Sequence, residues 1–571
     1  MRRLKLKRNH KLWLVILLFL GIVAQGLTMV RSGLVYNFGM GFWGANGHDG
    51  IWHLALTNQV LRSFPPPHPT LAGFQLTNYH YFYDLFLALV SQLTLIPSTT
   101  LYFQIFPIFL AAGLGILSFL VGYYWRRDFW TGFWLVFFNY FAGSFGYLVT
   151  LWRHQQLGGE SLFWSMQSAS TLVNPPFALS LVVILGGMLL LLRLKKWHFW
   201  QILGIGFLLG ILVNIKAYAG VVGLTALGIF SLAKLIKGER IYLAIFGLAL
   251  VVTGVIFLPL NQKAGSLFIF QPFWFIHSMI ESADRLYLPR LALARYFLVE
   301  KGIGPRLIAI EAIGLLLFLF GNLGTRVIGG WDLAEKIISK KTDEFDYFLI
   351  GGMISGLVPP LLFVQKGTAW NTIQFFYYFL FFANFYAAAT VARLISQRRV
   401  FLKWGLVFLI GLMTIPTSLA TVKDSLGWPP PTAISNSEIE GLKFLKNKKE
   451  GIVLTYPYNE FEKNRYPTTP IPLRAYESTA YVSALTGKQT FLEDQMNLEI
   501  SGYQWQARRN EVVKFFASQD SFFARGFLLN NKISYLFLSA DQKFELTEEQ
   551  LGIDKIFDNG GAKIYQVRGM I

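Results

Sequence analysis

Cysteine is absent from the 571-residue chain, so neither a disulfide framework nor a thiolate metal site can form, and cysteine usage says nothing of redox compartment. Charge is scarce too. Asp, Glu, Lys and Arg make up 15% of the residues, against roughly 25% in an ordinary soluble domain, which argues against a wholly cytosolic enzyme. With 54% apolar residues, a disordered or collagen-like chain is excluded as well. Acids are the rarer sign, 32 against 51 bases for a net charge of +19, yet no basic, groove-lining domain for nucleic acid is present. Lysines and arginines that flank membrane spans explain that balance better. A nucleotide loop is also missing: Gly204-Ile205-Gly206 falls inside an apolar run with no strand before it.

What is present is long apolar runs. A spanning helix needs about 20 apolar residues to cross roughly 30 Å of hydrocarbon. Candidates run 12–30, 101–124, 129–150, 171–193, 199–214, 217–236, 241–260, 306–323, 346–364, 372–394 and 401–420, about 11 spans. The stretch 81–96 is short, contains Asp84 and ends at Pro97, so it is expected to lie on the membrane as an amphipathic segment. With that assignment the short loops on one face collect the bases. These are Arg2, Arg3, Lys5, Lys7, Arg8 and Lys11 at the N-terminus, Arg126 and Arg127, Arg193, Lys195 and Lys196, Lys234, Lys237 and Arg240, Arg326, Lys336, Lys340 and Lys341, and Arg393, Arg398, Arg399 and Lys403. The expected topology is N-in and C-out, with the first apolar run a retained anchor and not a cleaved signal peptide. Gly206 with Gly210, and Gly352 with Gly356, have the small-xxx-small spacing of closely packed helices.

Three sections follow from this reading. Residues 1–423 form a polytopic α-helical domain with long outer loops at 31–100 and 261–305. Residues 424–434, including Trp428-Pro429-Pro430-Pro431, read as a stiff linker. Residues 435–571 read as a small extracytoplasmic α/β domain, with helices at 437–449 and 506–518 and strands at 452–456, 533–538 and 563–567.

Long ordered loops tend to carry function. In the first, Gly47-His48-Asp49-Gly50-Ile51-Trp52-His53 opens a helix with Asp49 and His53 four apart, hence on one face. Four of the eight histidines, His48, His53, His68 and His80, crowd this loop. The chemistry suggested is Asp49 as general base, oriented by His48 or His53. The competing role for Asp49 is a helix N-cap. The histidines lack an HExxH-like spacing, so packing competes with metal ligation. Trp43, Trp52, Tyr79 and Tyr81 fit either sugar stacking or an interfacial aromatic belt.

A basic anchor, a first outer loop with Gly47-His48-Asp49 and His53, and Asn78-Tyr79-His80-Tyr81 before an amphipathic helix together resemble the GT-C superfamily of polytopic glycosyltransferases. Ser483-Ala484-Leu485-Thr486-Gly487-Lys488, Trp505 with Arg508 and Arg509, and Ile533–Leu538 are similar to the outer domain of uncharacterised GT-C-like membrane proteins. The resemblance implies a polyprenyl-phosphate-linked sugar donor and an acidic catalytic base in the first outer loop. It also implies an extracytoplasmic glycan, lipid or protein acceptor. Many such proteins carry Asp-Asp or Asp-Glu where this chain has His48-Asp49. A divalent cation such as Mg or Mn, held by Asp49 and Glu160, is thus an open expectation.

Attack of a hydroxyl on an anomeric carbon needs a base and positive charge near the leaving phosphate. For the charge, Lys216 stands in a tight turn between spans, and Lys263, Arg285, Arg290 and Arg295 lie in the second long loop. His80, Tyr79, Glu160, Trp370 and Asn371 are the expected substrate-binding residues. Glu311 sits inside a span and requires a partner or a cavity. The expected protein is therefore a multi-pass cell-membrane glycosyltransferase. A transporter or flippase of envelope glycolipids would instead show paired halves with interrupted helices, and an envelope scaffold would not need Asp49.

Overall fold

In the computed structural model the described residues are 7–193, 198–262, 264–396 and 400–570. Arg2, Arg3, Lys5, Lys195, Lys196, Lys263, Arg398 and Arg399 lie outside them. The chain forms two compact units. One gathers the N-terminal helix Arg8–Leu27 with Pro107–Pro259 and Gly265–Leu426; the other gathers Met29–Phe106, Leu260–Ala264 and Gly427–Ile571. This departs from a division at residue 423, because the first outer loop packs with the C-terminal chain.

The first unit is a helical bundle. Among the described residues seven helices are long and apolar enough to cross a membrane. Counting two bent pairs, Phe129–Phe141 with Gly146–His154 and Leu402–Thr414 with Pro416–Ser425, as one span each gives nine. The apolar helices Phe199–Ile215 and Ile241–Phe257 are shorter still. At 1.5 Å per residue they reach about 25 Å, which is why a count of about 11 from hydropathy exceeds the count by helix length. Large apolar side chains such as Phe19, Phe109, Val251 and Phe408 stand exposed on these helices, as lipid-facing residues do. The molecule is a multi-pass membrane protein.

Buried aromatics dominate the bundle's centre, where Gln374–Ser396 is covered nearly along its whole length. The glycine pairs allow close approach. A Cβ on Gly352 would lie 2.3 Å from the Phe382 ring, and one on Gly210 would lie 2.7 Å from Val252. Arg326, read from the sequence as a loop residue, is instead only 2% exposed. Its guanidinium donates to Asn384 Oδ1 (2.9 Å), Gln167 Oε1 (2.9 Å) and the Ala142 carbonyl (2.8 Å). Five donors in a planar fork can satisfy several carbonyls at once, and this makes arginine tolerable there.

The second unit holds two sheets. In one, Val35–Tyr36 and Gly39–Phe42 form a hairpin, Gly39–Phe42 pairs antiparallel with Thr432–Ile434, and Ile471–Pro472 adds in parallel. The Pro-rich segment therefore ends as a strand and not as a free linker. In the other sheet, Ile452–Thr455 runs parallel to Ile533–Ser539, followed by antiparallel Ala562–Val567 and Ile553–Asp558. Every residue of Ile533–Ser539 is buried, as expected of a central strand covered on both faces. The helices Gln506–Ala517 and Ser521–Asn530 supply Val512, Phe515 and Phe527 to that core. Residues 81–96 contain the 13-residue helix Phe82–Thr94, about 20 Å long and too short to span.

Candidate active site

The helix Asp49–Gln59 carries the site. A 3-10 turn, Gly44–Gly47, brings the chain in, with Gly44 at φ +55 where a side chain would be strained. The turn is held from below, since Ser32 Oγ accepts from the Trp43 backbone (3.1 Å) and from Asn46 Nδ2 (2.9 Å). At its far end the helix is fastened to the C-terminal chain by Asn58 Nδ2 to the Ala484 carbonyl (2.8 Å) and Gln59 Nε2 to the Gly487 carbonyl (2.9 Å). Asp49 is the first helical residue and His48 the cap position, which makes no side-chain cap bond. The N-cap role expected for Asp49 is thus not the one it plays, although a carboxylate in a first turn is still favoured by the helix dipole.

Three side chains form a line. His48 Nδ1 lies 3.0 Å from Asp49 Oδ1, and His48 Nε2 lies 3.2 Å from Asp494 Oδ1. A ring bonded to a carboxylate at each nitrogen donates from both, which is the imidazolium form. Burial opposes that charge, but the field of Asp494 and the bonds to Asp49 and Asp494 outweigh it, so the His48 pKa is well above the usual imidazole value. Asp494 is itself fixed: its side chain accepts from the Asn497 backbone (3.1 Å) and from Asn497 Nδ2 (2.8 Å). The Asp494 side chain is fully buried, whereas that of Asp49 is 39% exposed, so Asp49 is the end a substrate can reach.

Around this line stand further acids. Burial, then the Asp49 and Asp494 fields set against His48, leave the Glu477 carboxyl above its ordinary range. Burial pushes Glu493 up to about 8, although its oxygens accept from the Val482 and Ser483 backbone (3.2 and 3.1 Å). Tyr79 is raised well above the ordinary phenol value by burial and then by Asp84, Asp49 and Asp494, and it stacks on His80 at 4.5 Å between centroids. His53 does not join Asp49. Its Nδ1 is 2.8 Å from Asp84 Oδ1, in a buried pair beside Tyr102.

Among the described residues no group of three or more His, Asp or Glu converges as metal ligands do. Asp49 and Asp494 sit against opposite nitrogens of the His48 ring. Glu160, the other expected ligand, is engaged in the first unit, where it accepts from the Gln167 backbone and Thr421 Oγ1, each at 3.1 Å. Burial raises its pKa.

The expected cations and binding residues of the first unit separate into pairs and a network. Arg295 is 2.8 Å from Glu311, which also meets His277 at 2.8 Å, so Glu311 has its partners and Arg295 a compensated charge. Arg285 contacts Ser161 and covers the Trp164 ring at 4.0 Å, while Arg290 is exposed. Lys216 is buried, with Nζ 3.3 Å from Asn174 Oδ1 and 5.7 Å from the Tyr218 ring centre. Tyr218 Oη reaches Gln365 Oε1 (3.3 Å), which accepts from Asn371 Nδ2 (2.8 Å). Lys216 and Asn371 therefore share one polar network, whereas Trp370 is 41% exposed.

Asp494 and Glu477 escape a reading by local spacing, being more than 400 positions from His48 in sequence. The available signal was Glu493-Asp494, an acid pair opening the short helix Gln495–Ile500.

No protein-family model matches the chain, and no curated protein matches it. Solved structures do. The Archaeoglobus fulgidus oligosaccharyltransferase tethered to an acceptor peptide with the NVT sequon superposes with TM-score 0.50 at 12% identity, covering 93% of this chain and 69% of that one. The archaeal oligosaccharyltransferase AglB of the same organism, with an inhibitory peptide and a dolichol-phosphate, gives 0.52 at 10%, covering 94% and 70%. The A. fulgidus enzyme with Zn and sulfate gives 0.52 at 11%, covering 92% and 68%. The chain thus shares the fold of these oligosaccharyltransferases over nearly its whole length.

Proposed function

We propose that this chain is a GT-C-type membrane glycosyltransferase that moves a sugar from a polyprenyl-phosphate-linked donor to an extracytoplasmic acceptor, with Asp49 as general base. The single observation that carries the reading is the line Asp494–His48–Asp49, which ends in a reachable carboxylate on a fold shared with oligosaccharyltransferases. Asp49 takes the proton of the acceptor hydroxyl as that oxygen bonds to the anomeric carbon. The bond from that carbon to the phosphate oxygen breaks, and the lipid phosphate leaves with the electron pair, which inverts the carbon. His48, bonded to Asp494 on one side, holds the Asp49 carboxylate in place on the other. Lys216, with Arg285 or Arg290, is assigned to the leaving phosphate; Arg295 is a weaker choice because Glu311 already compensates it.

The test is sugar transfer by the purified chain in lipid nanodiscs, supplied with polyprenyl-phosphate-linked sugars. Asp49→Asn is expected to lower kcat by about 10²–10⁴-fold, the usual worth of a positioned base. Transfer at the wild-type rate would remove Asp49 from the mechanism. Transport of the lipid-linked sugar without any transfer would replace the enzyme by a flippase.

A further inference from the structure

Beside the Asp49 line, the second unit has a cleft, open to solvent, that the proposed chemistry does not use. Asp494 forms part of its wall, so the cleft begins one side chain away from His48. Glu477, Thr479, Tyr458, Tyr481 and Arg474 also line it.

Two of these groups are built for a ligand. The Thr479 hydroxyl is 95% buried by residue exposure and has no hydrogen-bond partner among the described residues, a state that normally costs stability unless something fills it. Glu477 follows the helical turn Leu473–Tyr476 in extended backbone, half-buried, and its carboxylate makes no hydrogen bond or ion pair among the described residues. The cleft's one guanidinium is already spent: Arg474 pairs with Glu462 and with Asp541 (2.8 Å), and lies 3.6 Å from Glu438.

The charge of the lining decides the ligand class. Among the described residues Glu462, Glu477 and Asp494 face a single arginine that is already paired with acids, so a phosphate or carboxylate ligand is repelled. A ligand that donates to carboxylates, accepts from a threonine hydroxyl and lies against tyrosine rings is a neutral polyhydroxyl compound. Neighbouring sugar hydroxyls supply both donors and acceptors, and the C–H face of the ring supplies the apolar contact. We infer that this cleft is the acceptor subsite and that it takes the neutral saccharide end of the acceptor, bound by Glu477 and Thr479. The inference rests on the glycosyltransferase reading for the word acceptor, but the saccharide-binding cleft stands or falls by itself.

The test is saturation-transfer NMR on the full chain in nanodiscs. The probes are methyl glycosides of glucose, galactose, mannose and N-acetylglucosamine, with glucosamine, glucose 6-phosphate and a short Ser/Thr-containing peptide as comparators. At least one neutral glycoside is expected to bind in the millimolar range, and more tightly than glucose 6-phosphate. Glu477→Gln and Thr479→Val should each weaken it by about tenfold, the worth of one buried hydrogen bond, with thermal unfolding unchanged. Asp49→Asn should bind it as the wild type does while losing transfer, which separates the cleft from the chemistry. If no neutral glycoside binds, if both cleft variants bind normally, or if the peptide, glucosamine or glucose 6-phosphate alone binds, the subsite is overturned while the role of Asp49 is untouched.

Discussion

Behind the reachable carboxylate of Asp49 stand two buried acids, Asp494 and Glu493. Glu493 is the clearest pH sensor among them. Its pKa is raised to about 8 in the fold against an unfolded value near 4.3, so between those values the folded state holds a proton the unfolded state has lost. Stability from this group is full below about pH 4.3 and declines as pH rises towards 8. His48, raised as well, adds a decline that begins above its unfolded value of about 6.5. Glu493→Gln mimics the protonated acid and should flatten the fall of the thermal midpoint between pH 5 and 8; an unchanged slope would mean that Glu493 titrates normally. Asp494→Asn tests the positioning of His48. Asparagine tolerates the positive φ of 50 at this cap, so the midpoint should stay within a few degrees. kcat should nevertheless fall by about tenfold or more with KM little changed, because one charge-assisted bond to His48 is lost. The rate profile should also shift as His48 titrates at lower pH.

At the level of elements, short strands decide what the first outer loop packs against. Gly39–Phe42 pairs with Thr432–Ile434 in a register that puts Met40 opposite Ile434. Gly39 sits at φ +122, and a Cβ there would lie 2.0 Å from the Ile434 carbonyl oxygen. Backbone cannot swing aside as a long side chain can, so Gly39→Ala should force these strands apart. Strain of this kind costs about 1–3 kcal/mol. The expected readout is a lower thermal midpoint and faster proteolysis within 424–434, and wild-type resistance there would refute the pairing. Hydropathy and period found the long apolar helices, though they counted more spans than helix length supports, and strands that overlap Ile452–Thr455 and the central strand. They could not find this sheet, because strands of two to four residues carry too little pattern and their partners are some 400 positions away.

For the molecule as a whole, the absence of cysteine makes topology directly measurable, since any introduced thiol is unique. The lysine and arginine bias of the short loops predicts that the N-terminus is inside and the C-terminal chain outside. Glu460→Cys, at an exposed position of the second unit, should react in intact cells with a membrane-impermeant maleimide. Ser339→Cys, after the helix Gly329–Ile338, should react only after permeabilisation. The reverse pattern would invert the topology and put Asp49 on the face where polyprenyl-linked sugar transfer is not expected.

Composition and hydropathy were enough to establish a many-helix membrane protein with a folded C-terminal part, because burying apolar runs in lipid is a local, additive effect that each segment satisfies by itself. They also pointed to Asp49 through its spacing and its place in a long loop. Which acids share His48, that His53 turns to Asp84, that Glu311 takes up Arg295, and that Glu477 and Thr479 open on a cleft were decided only by the tertiary fold. Such contacts are short-range and directional, and the residues that make them are brought together by chain that the local pattern does not encode.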